Sequence, residues 1–198
     1  MSKMTQTLAR RTERKTRQRA ANRGAIVEAA RRLASREGSH ELSLRAVAAE
    51  AGYAPASVYE YFRNRAELVL ALAAEELSQA ARLLKEAKDG PRAAEALFAF
   101  FKSSAALSDA AGVFEREEIP AEAERFFNGK LIAALTVFSE ALGKAPLKTR
   151  EDQADVVLLT AAVLGLSSLA RAGRLKVLGL DEAELLARLQ GQFAAPVR

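Results

Sequence analysis

The stretch Ser43-Leu44-Arg45-Ala46-Val47-Ala48-Ala49-Glu50-Ala51-Gly52-Tyr53-Ala54-Pro55-Ala56-Ser57-Val58-Tyr59-Glu60-Tyr61-Phe62 decides the fold. Ser43 is an N-cap residue type standing ahead of Leu44, Val47 and Ala48, whose spacing puts them on one inward face and predicts a helix over 44–50. Gly52 closes that helix. Pro55 suits the first turn of a following helix, because its missing N–H is one that a helix start leaves unpaired anyway, and that helix is expected to reach about Tyr61. Two helices of seven or eight residues joined at Ala51, Gly52 and Tyr53 match a helix-turn-helix, whose second helix enters the major groove of DNA while the first crosses the backbone.

Working outward, Ile26, Ala29, Ala30, Leu33 and Ala34 form an upstream stripe at helical spacing, and Gly38 sits where it ends, so helix 1 is predicted from about Thr16 to Arg36. Downstream, Leu68, Leu72, Leu77 and Leu84 predict a long helix from Arg65 to about Lys88, stopped by Asp89-Gly90-Pro91. Further helices are expected at about 92–107, 109–117, 121–142, 150–172 and 181–193, with breaks at Ser108, Ile119-Pro120, Gly143 to Pro146 and Gly173 to Leu180. Thr149 with Asp152, and Asp181 with Glu184, read as capping pairs. Ala fills 43 of the 198 positions and Val, Ile and Thr together 21, which leaves little material for a sheet and makes the expected fold all-α.

The charge is unevenly placed. Residues 1–65 carry 14 Lys and Arg against 6 Asp and Glu, whereas the remainder carries 16 against 19. Lys3, Arg10, Arg11, Arg14, Lys15, Arg17, Arg19 and Arg23 face a single acid in this arm, Glu13, and such a block suits a polyanion. A membrane surface fits less well, since the arm offers only Leu8 as a bulky apolar residue. The chain has no Cys and one His, His40, which removes disulfides, thiolate nucleophiles and most zinc chemistry. His40 reads as a solvated loop residue. The carboxylates Glu115, Glu117, Glu118, Glu122 and Glu124 read as a solvated face, and no glycine motif for phosphate is present. No metal and no cofactor is expected. The longest uncharged run, 156–170, falls short of the ~20 residues that span a bilayer and is expected to be a deeply buried helix. With no apolar signal core in residues 1–23, a cytoplasmic location follows as the default.

From Arg23 to Leu68 the chain resembles the DNA-binding domain of the TetR family of bacterial transcriptional repressors. The resemblance is carried by Ile26-Val27-Glu28-Ala29-Ala30, the Gly38 turn, Ser43 to Ala48, Ala51-Gly52-Tyr53, and Ser57-Val58-Tyr59-Glu60-Tyr61-Phe62 followed by Asn64-Arg65-Ala66-Glu67-Leu68. Tyr53, Ala54, Ala56 and Arg65 depart from the family's usual residues. The missing side-chain cap at Ala54 costs about 1 kcal/mol, offset in part by Pro55. Arg65 keeps the positive charge the family places there.

The resemblance implies roles residue by residue. Ser43, Leu44 and Arg45 at the start of helix 2, and Tyr59 in helix 3, occupy positions that hold DNA phosphates in the family, and Arg65 is expected to do the same. Pro55, Ala56 and Ser57 open the reading helix, where Ala56 suits a thymine methyl and Ser57 a base edge or a phosphate. Arg17, Arg19 and Arg23 of the arm are expected to add affinity. Val58, Phe62 and Leu68 are expected in the core, and Tyr61 and Tyr53 suit either core or contact. The implied organisation is a basic, partly flexible arm over 1–22, the helix-turn-helix domain over 23–66, and a helical effector-binding and dimerisation domain over 67–198.

That C-terminal domain is expected to do two things. Seven of the nine Phe lie between Phe98 and Phe138. Phe98, Phe101, Phe114, Phe126, Phe127, Leu131 and Phe138 are candidates to line a pocket for a small apolar or aromatic effector, with Ser104, Arg125 or Asn128 as polar anchors, although core packing explains the same stripe. Leu158, Leu159, Ala162, Val163, Leu166 and Leu169 leave the helix over 150–172 apolar almost all round, so it is expected to pair with helix 121–142 and their mates in a homodimer. The leading expectation is a ligand-responsive repressor on a pseudo-palindromic operator, with the long helix from Arg65 as its lever. An effector-free, chromosome-associated DNA-binding protein is the alternative, and a helical enzyme has no motif to support it.

Overall fold

The computed structural model describes residues 3–87, 89–104, 106–116, 118–141 and 149–193. Among these the chain folds into helices without a strand: α1 Lys3–Glu37, a 3₁₀ turn Ser39–Glu41, α2 Leu44–Ala51, α3 Pro55–Tyr59, α4 Arg65–Glu86, α5 Gly90–Ser103, α6 Ala106–Arg116, α7 Ala121–Ala141, α8 Arg150–Arg171, α9 Arg174–Val177 and α10 Glu182–Phe193. The all-α expectation holds.

The starts and stops follow local chemistry. Ser43 Oγ accepts the Ala46 N–H at 3.1 Å, and Gly52 leaves α2 at φ +71°, a left-handed conformation that an L side chain rarely adopts. Asn64 Oδ1 accepts the Glu67 N–H at 2.9 Å, while Glu67 Oε2 reaches back to the Arg63 N–H at 2.8 Å, a near relative of the capping box. Both expected capping pairs form: Thr149 Oγ1 accepts from Asp152 N at 3.1 Å, and Asp181 Oδ1 accepts from Glu184 N at 3.1 Å.

Four elements differ from the sequence reading. α1 begins at Lys3, thirteen residues earlier than Thr16, and crosses the expected arm boundary at residue 22 without a break. The arm's Arg, Lys and Gln residues are good helix formers, so it propagates from the anchored turns downstream even without an apolar stripe. The break placed at Ser108 falls earlier, at Ser104, where α5 ends, and α6 begins at Ala106. Within the break expected over 173–180, four residues form α9. The break at Gly143 to Pro146 lies outside the described residues.

Two core clusters hold the helices together. The first joins α1, α2, α3 and the first half of α4 to Ala106, Ala110, Val113, Phe127 and Ala134 of α6 and α7. The second joins the end of α4 to α5, α7, α8 and α10. The expected boundary at residues 66 and 67 is therefore crossed by a shared core, and α4 runs through both halves.

The expectation of a deeply buried α8 is corrected. By length and composition α8 passes as long enough and apolar enough to cross a bilayer, yet only 22% of that window is buried within the chain. Val156, Leu159, Val163 and Ser167 recur every three or four residues and cover one stripe, while the opposite stripe, including Val157 and Leu158, stays exposed.

Candidate nucleic-acid interface

The reading head is assembled on an apolar base. Val58 and Phe62 are fully buried in one core cluster with Ile26, Ala30 and Val47, which fixes the roll of α3 about its axis. That roll turns Pro55 and Ala56 outward and leaves Tyr59 52% exposed, an unusual setting for so large a ring in a folded core. Ser57 is half-buried. Across the turn, Ser43 and Arg45 are exposed at the start of α2. Ser43, Arg45, Pro55, Ala56 and Tyr59 thus form one solvent-facing set on the two helices of the helix-turn-helix.

The head is stiffened at the far end of α2. Glu50 takes the Arg32 Nε at 2.9 Å and the Arg36 Nη2 at 2.8 Å. These two guanidinium bonds hold the Glu50 carboxyl well below the usual carboxylate range, at about 2.

Other predicted contacts are placed differently. The Leu44 side chain is buried in the head, because it is the first apolar residue of the α2 stripe; only its backbone lies at the helix start. Arg65 gives Nε to the Leu42 carbonyl and Nη2 to the Ser39 carbonyl, each at 3.0 Å, so its guanidinium ties the 3₁₀ turn and the loop after it to the start of α4. Tyr61 is half-buried, its hydroxyl accepts from Asn22 Nδ2 at 3.0 Å, and its ring carries the Arg19 guanidinium at 5.4 Å. Arg19 also donates to the Glu60 carbonyl at 3.0 Å. Arg17 is exposed with Arg10, Arg11, Arg14 and Lys15 along α1.

Arg23 is the largest departure. Its guanidinium lies over the Phe62 ring at 4.9 Å and the Phe126 ring of α7 at 5.8 Å. Burial lowers its pKa from the ordinary guanidinium value, and the Glu67 and Glu122 carboxylates oppose that shift. Around it opens a groove of about 510 Å³ between head and body, lined by Arg19, Arg63, Tyr61, Glu67, Glu122 and Phe126 among others. The sequence reading missed Arg63 and the partnership with Phe126. No spacing rule links positions 23 and 126, which meet only in the folded chain.

The residues assigned to an effector do not share one cavity. Phe101, Leu131 and Phe138 border an apolar void with Leu77, Leu97 and Thr160, but its volume is about 20 Å³, space for a single water. Phe98 faces a separate surface groove between α5 and α10. Phe114 and Phe127 pair with each other, ring centroids 5.5 Å apart, on the side of the head. Phe126 is exposed over the head–body groove. Ser104 is buried and donates its hydroxyl to Glu76, so it is committed to a structural contact, while Arg125 and Asn128 are exposed. The six aromatics are dispersed because they sit on different faces of α5, α6 and α7.

Of the expected dimer residues, Leu158 is 59% exposed and Leu169 is also exposed, whereas Leu159 is 2% exposed and belongs to the chain's own core. Ala162 and Leu166 are intermediate. Among the described residues no three carboxylates or His gather as a metal site.

Comparison with known proteins agrees with the head. Residues 26–72 match the family model for bacterial regulatory proteins, tetR family. No curated protein sequence matches the chain. Among solved structures, the regulatory protein SCO4313 is 21% identical with a TM-score of 0.67, over 91% of this chain and 98% of that one. A TetR transcriptional regulator from Rhodococcus sp. RHA1 is 20% identical with a TM-score of 0.67, over 91% of this chain and 100% of that one. FadR from Bacillus subtilis, solved in complex with stearoyl-CoA, is 15% identical with a TM-score of 0.57, over 88% and 98%. These likenesses are of fold and extend through the body, while the motif residues 26–72 carry the family's helix-turn-helix. Residues 26–72 thus match the helix-turn-helix of bacterial regulatory proteins of the tetR family, and the whole chain shares the fold of solved regulators of that family.

Proposed function

We propose that the chain is a ligand-responsive repressor that binds a pseudo-palindromic operator as a homodimer in the bacterial cytoplasm and leaves it when a small apolar or aromatic effector enters the body. Residues 23–66 form the reading head and 67–198 the effector and dimerisation body in this reading. The observation that carries it is α4, which starts in the head at the Arg65 contacts and is buried in both core clusters, so a change of packing in the body has a mechanical route to α3 through the first cluster. The exposed stripe of α8 supports a partner chain, since Val157, Leu158 and Leu169 leave apolar surface facing water in a lone chain. A two-fold dimer presents two α3 helices to major grooves about 34 to 36 Å apart or a multiple of that. The stearoyl-CoA complex of FadR, on a similar fold, supports an effector with a long apolar part.

The void bordered by Leu131 and Phe138 sets a condition on this mechanism. At about 20 Å³ it admits no such ligand, so the effector must select a conformation in which α7 stands away from α4 and α5. Only a ligand that binds this open form better than the closed one shifts the equilibrium. The closed void is also what favours the second reading, an effector-free DNA-binding protein that organises the chromosome.

Selection of duplexes from a randomised library, followed by competition with a panel of acyl-CoA and aromatic compounds, separates the two. Enrichment of an inverted repeat that one compound class releases supports the repressor. A repeat that no compound releases, together with many genomic sites, supports the effector-free reading.

A further inference from the structure

We infer that Arg23 is a positioning residue that fixes the reading head against α7 through Phe126, and that it is not a DNA contact. Its sequence neighbourhood argues for DNA, since it closes a run of eight basic residues. Its geometry argues otherwise. The guanidinium is stacked over Phe62, the fully buried ring at the base of the reading helix, and over Phe126, a ring that the body contributes from α7. One cation thus touches the structural floor of α3 and the second turn of α7 at once.

The surroundings are those of an internal joint. Glu67 on α4 and Glu122 on α7 supply negative charge to Arg23 from head side and body side. Carboxylates so placed repel a phosphate, and a guanidinium already partly desolvated against two rings has less to gain from one. Phe126 is held to this arrangement by a second cation, Lys130 of its own helix, at 5.7 Å from the ring centroid. Phe126 is 48% exposed, and the two side chains over its ring are both cationic, which uses the ring for its π face rather than for apolar burial.

The joint also belongs to a helix that feels the body's interior. Leu131, Ala134 and Phe138 of α7 border the small apolar void, and Phe126 stands on the same helix, less than two turns before Leu131. A displacement of α7 therefore moves Phe126 relative to Arg23 with no need for α4 to bend. Two hydrogen bonds also join head to body away from the groove: Asn64 Nδ2 to the Glu118 carbonyl at 3.0 Å, and the Ser39 hydroxyl to Asp109 of α6. Arg23 is a polar tie that depends on where the Phe126 side chain of α7 stands.

The test uses the full chain and a duplex recovered from a random library by the wild type. Phe126→Leu keeps apolar volume and removes the π face. It is expected to lower affinity for that duplex by about two- to tenfold, the range of a partly desolvated cation–π contact. Arg23→Ala should do the same, the double variant should be no worse than either single, and the slope of log affinity against log salt should stay unchanged in all three. Arg45→Ala serves as the control for phosphate binding and should flatten the slope by about 0.9 for each phosphate it no longer neutralises. Because the chain has no Cys, Ala49→Cys with Ala99→Cys gives one spin-label pair between head and body, diluted with unlabelled chains. Without DNA, its distance distribution should broaden on Phe126→Leu, a change that a DNA contact would not produce. If Phe126→Leu leaves affinity and label distances unchanged, or Arg23→Ala flattens the salt slope as Arg45→Ala does, the assignment is overturned. Loss of folding in Arg23→Ala leaves the Phe126→Leu arm to decide.

Discussion

Glu76 Oε2 accepts the Leu107 backbone N–H at 3.0 Å, so a buried carboxylate of α4 caps the first turn of α6. The Ser104 hydroxyl donates to the same oxygen, and Arg171 of α8 closes the cluster by donating to the Ser104 carbonyl. Glu76→Ala leaves the Leu107 N–H and the Ser104 hydroxyl without their partner inside the protein, at a cost of about 1 to 3 kcal/mol for each group left unsatisfied. Glu76→Gln keeps an acceptor and removes the charge. Burial raises the Glu76 pKa above the ordinary carboxylate value, so the folded state holds a proton that the unfolded state has lost, and stability falls as pH rises between the two pKa values. Urea melts across pH 4 to 8 should show that fall in the wild type and a flatter profile in Glu76→Gln. At pH 7, a Gln variant less stable than the Ala variant contradicts this account.

The Glu50 pair with Arg32 and Arg36 gives the opposite sign. Its carboxyl is held at about 2, below its unfolded value, so its contribution is complete above the unfolded pKa near 4.5 and is lost as pH falls toward 2. Glu50→Gln should melt earlier than wild type at pH 7, and the two melting temperatures should converge as the pH approaches 2. A gap that stays constant over this range argues against the ion pairs as its cause.

On the DNA-facing set, Tyr59→Phe should weaken a selected duplex and a random duplex by the same factor without moving the melting temperature, because a phosphate contact positions but does not specify. Ser57→Ala should instead change the preference at a single base position. Ser43→Ala combines both kinds of loss, since it removes the α2 cap at about 1 kcal/mol together with an exposed hydroxyl. Fluorescence anisotropy with the two duplexes distinguishes these outcomes.

Deleting residues 1–18 removes Lys3, Arg10, Arg11, Arg14, Lys15 and Arg17 and leaves the Arg19 contacts to Glu60 and Tyr61 in place. The salt dependence of DNA affinity should flatten while the half-site sequence stays the same. An unchanged slope places the arm off the duplex.

Two adjacent leucines separate assembly from folding. Leu158→Glu adds charge to the exposed stripe of α8 and should dissociate the proposed dimer with little loss of monomer stability. Leu159→Ala opens a hole in the second core cluster and should cost about 2 to 5 kcal/mol while the association state is kept. Light scattering and urea melts on the same samples check both, and a wild-type monomer at micromolar concentration would refute the dimer.

The head is legible in the sequence because its signals are local. Ser43, Gly52 and Pro55 mark starts and stops within a turn of themselves, and Val58 in α3 with Phe62 just beyond it declare the buried side by spacing. The true start of α1 escapes for the same reason: the arm has no apolar stripe, so periodicity does not register a helix there. In the body, the phenylalanines are readable as apolar but not as neighbours. Phe98 and Phe138 join the second core cluster while Phe114 pairs with Phe127 beside the head, because helix rotation, set by long-range packing, decides which way each ring points. Leu158 and Leu159 differ in fate by about 100° around the same helix. The rings beneath Arg23 are not legible at all, because charge counts report position along the chain, and one of those rings, Phe126, lies on α7.

The seven consecutive residues Leu68 to Ala74 of α4 are all buried, so this helix meets protein around its entire circumference for two turns. A helix enclosed in this way has no free side into which to lean by degrees. Any reorientation of the head carried by α4 must unseat several layers of side chains together and reseat them in another register, because close-packed interiors are bistable rather than continuously deformable. Release from DNA should accordingly be a discrete event on the microsecond-to-millisecond scale, with bound and released forms observed side by side in one titration and no progressive drift between them.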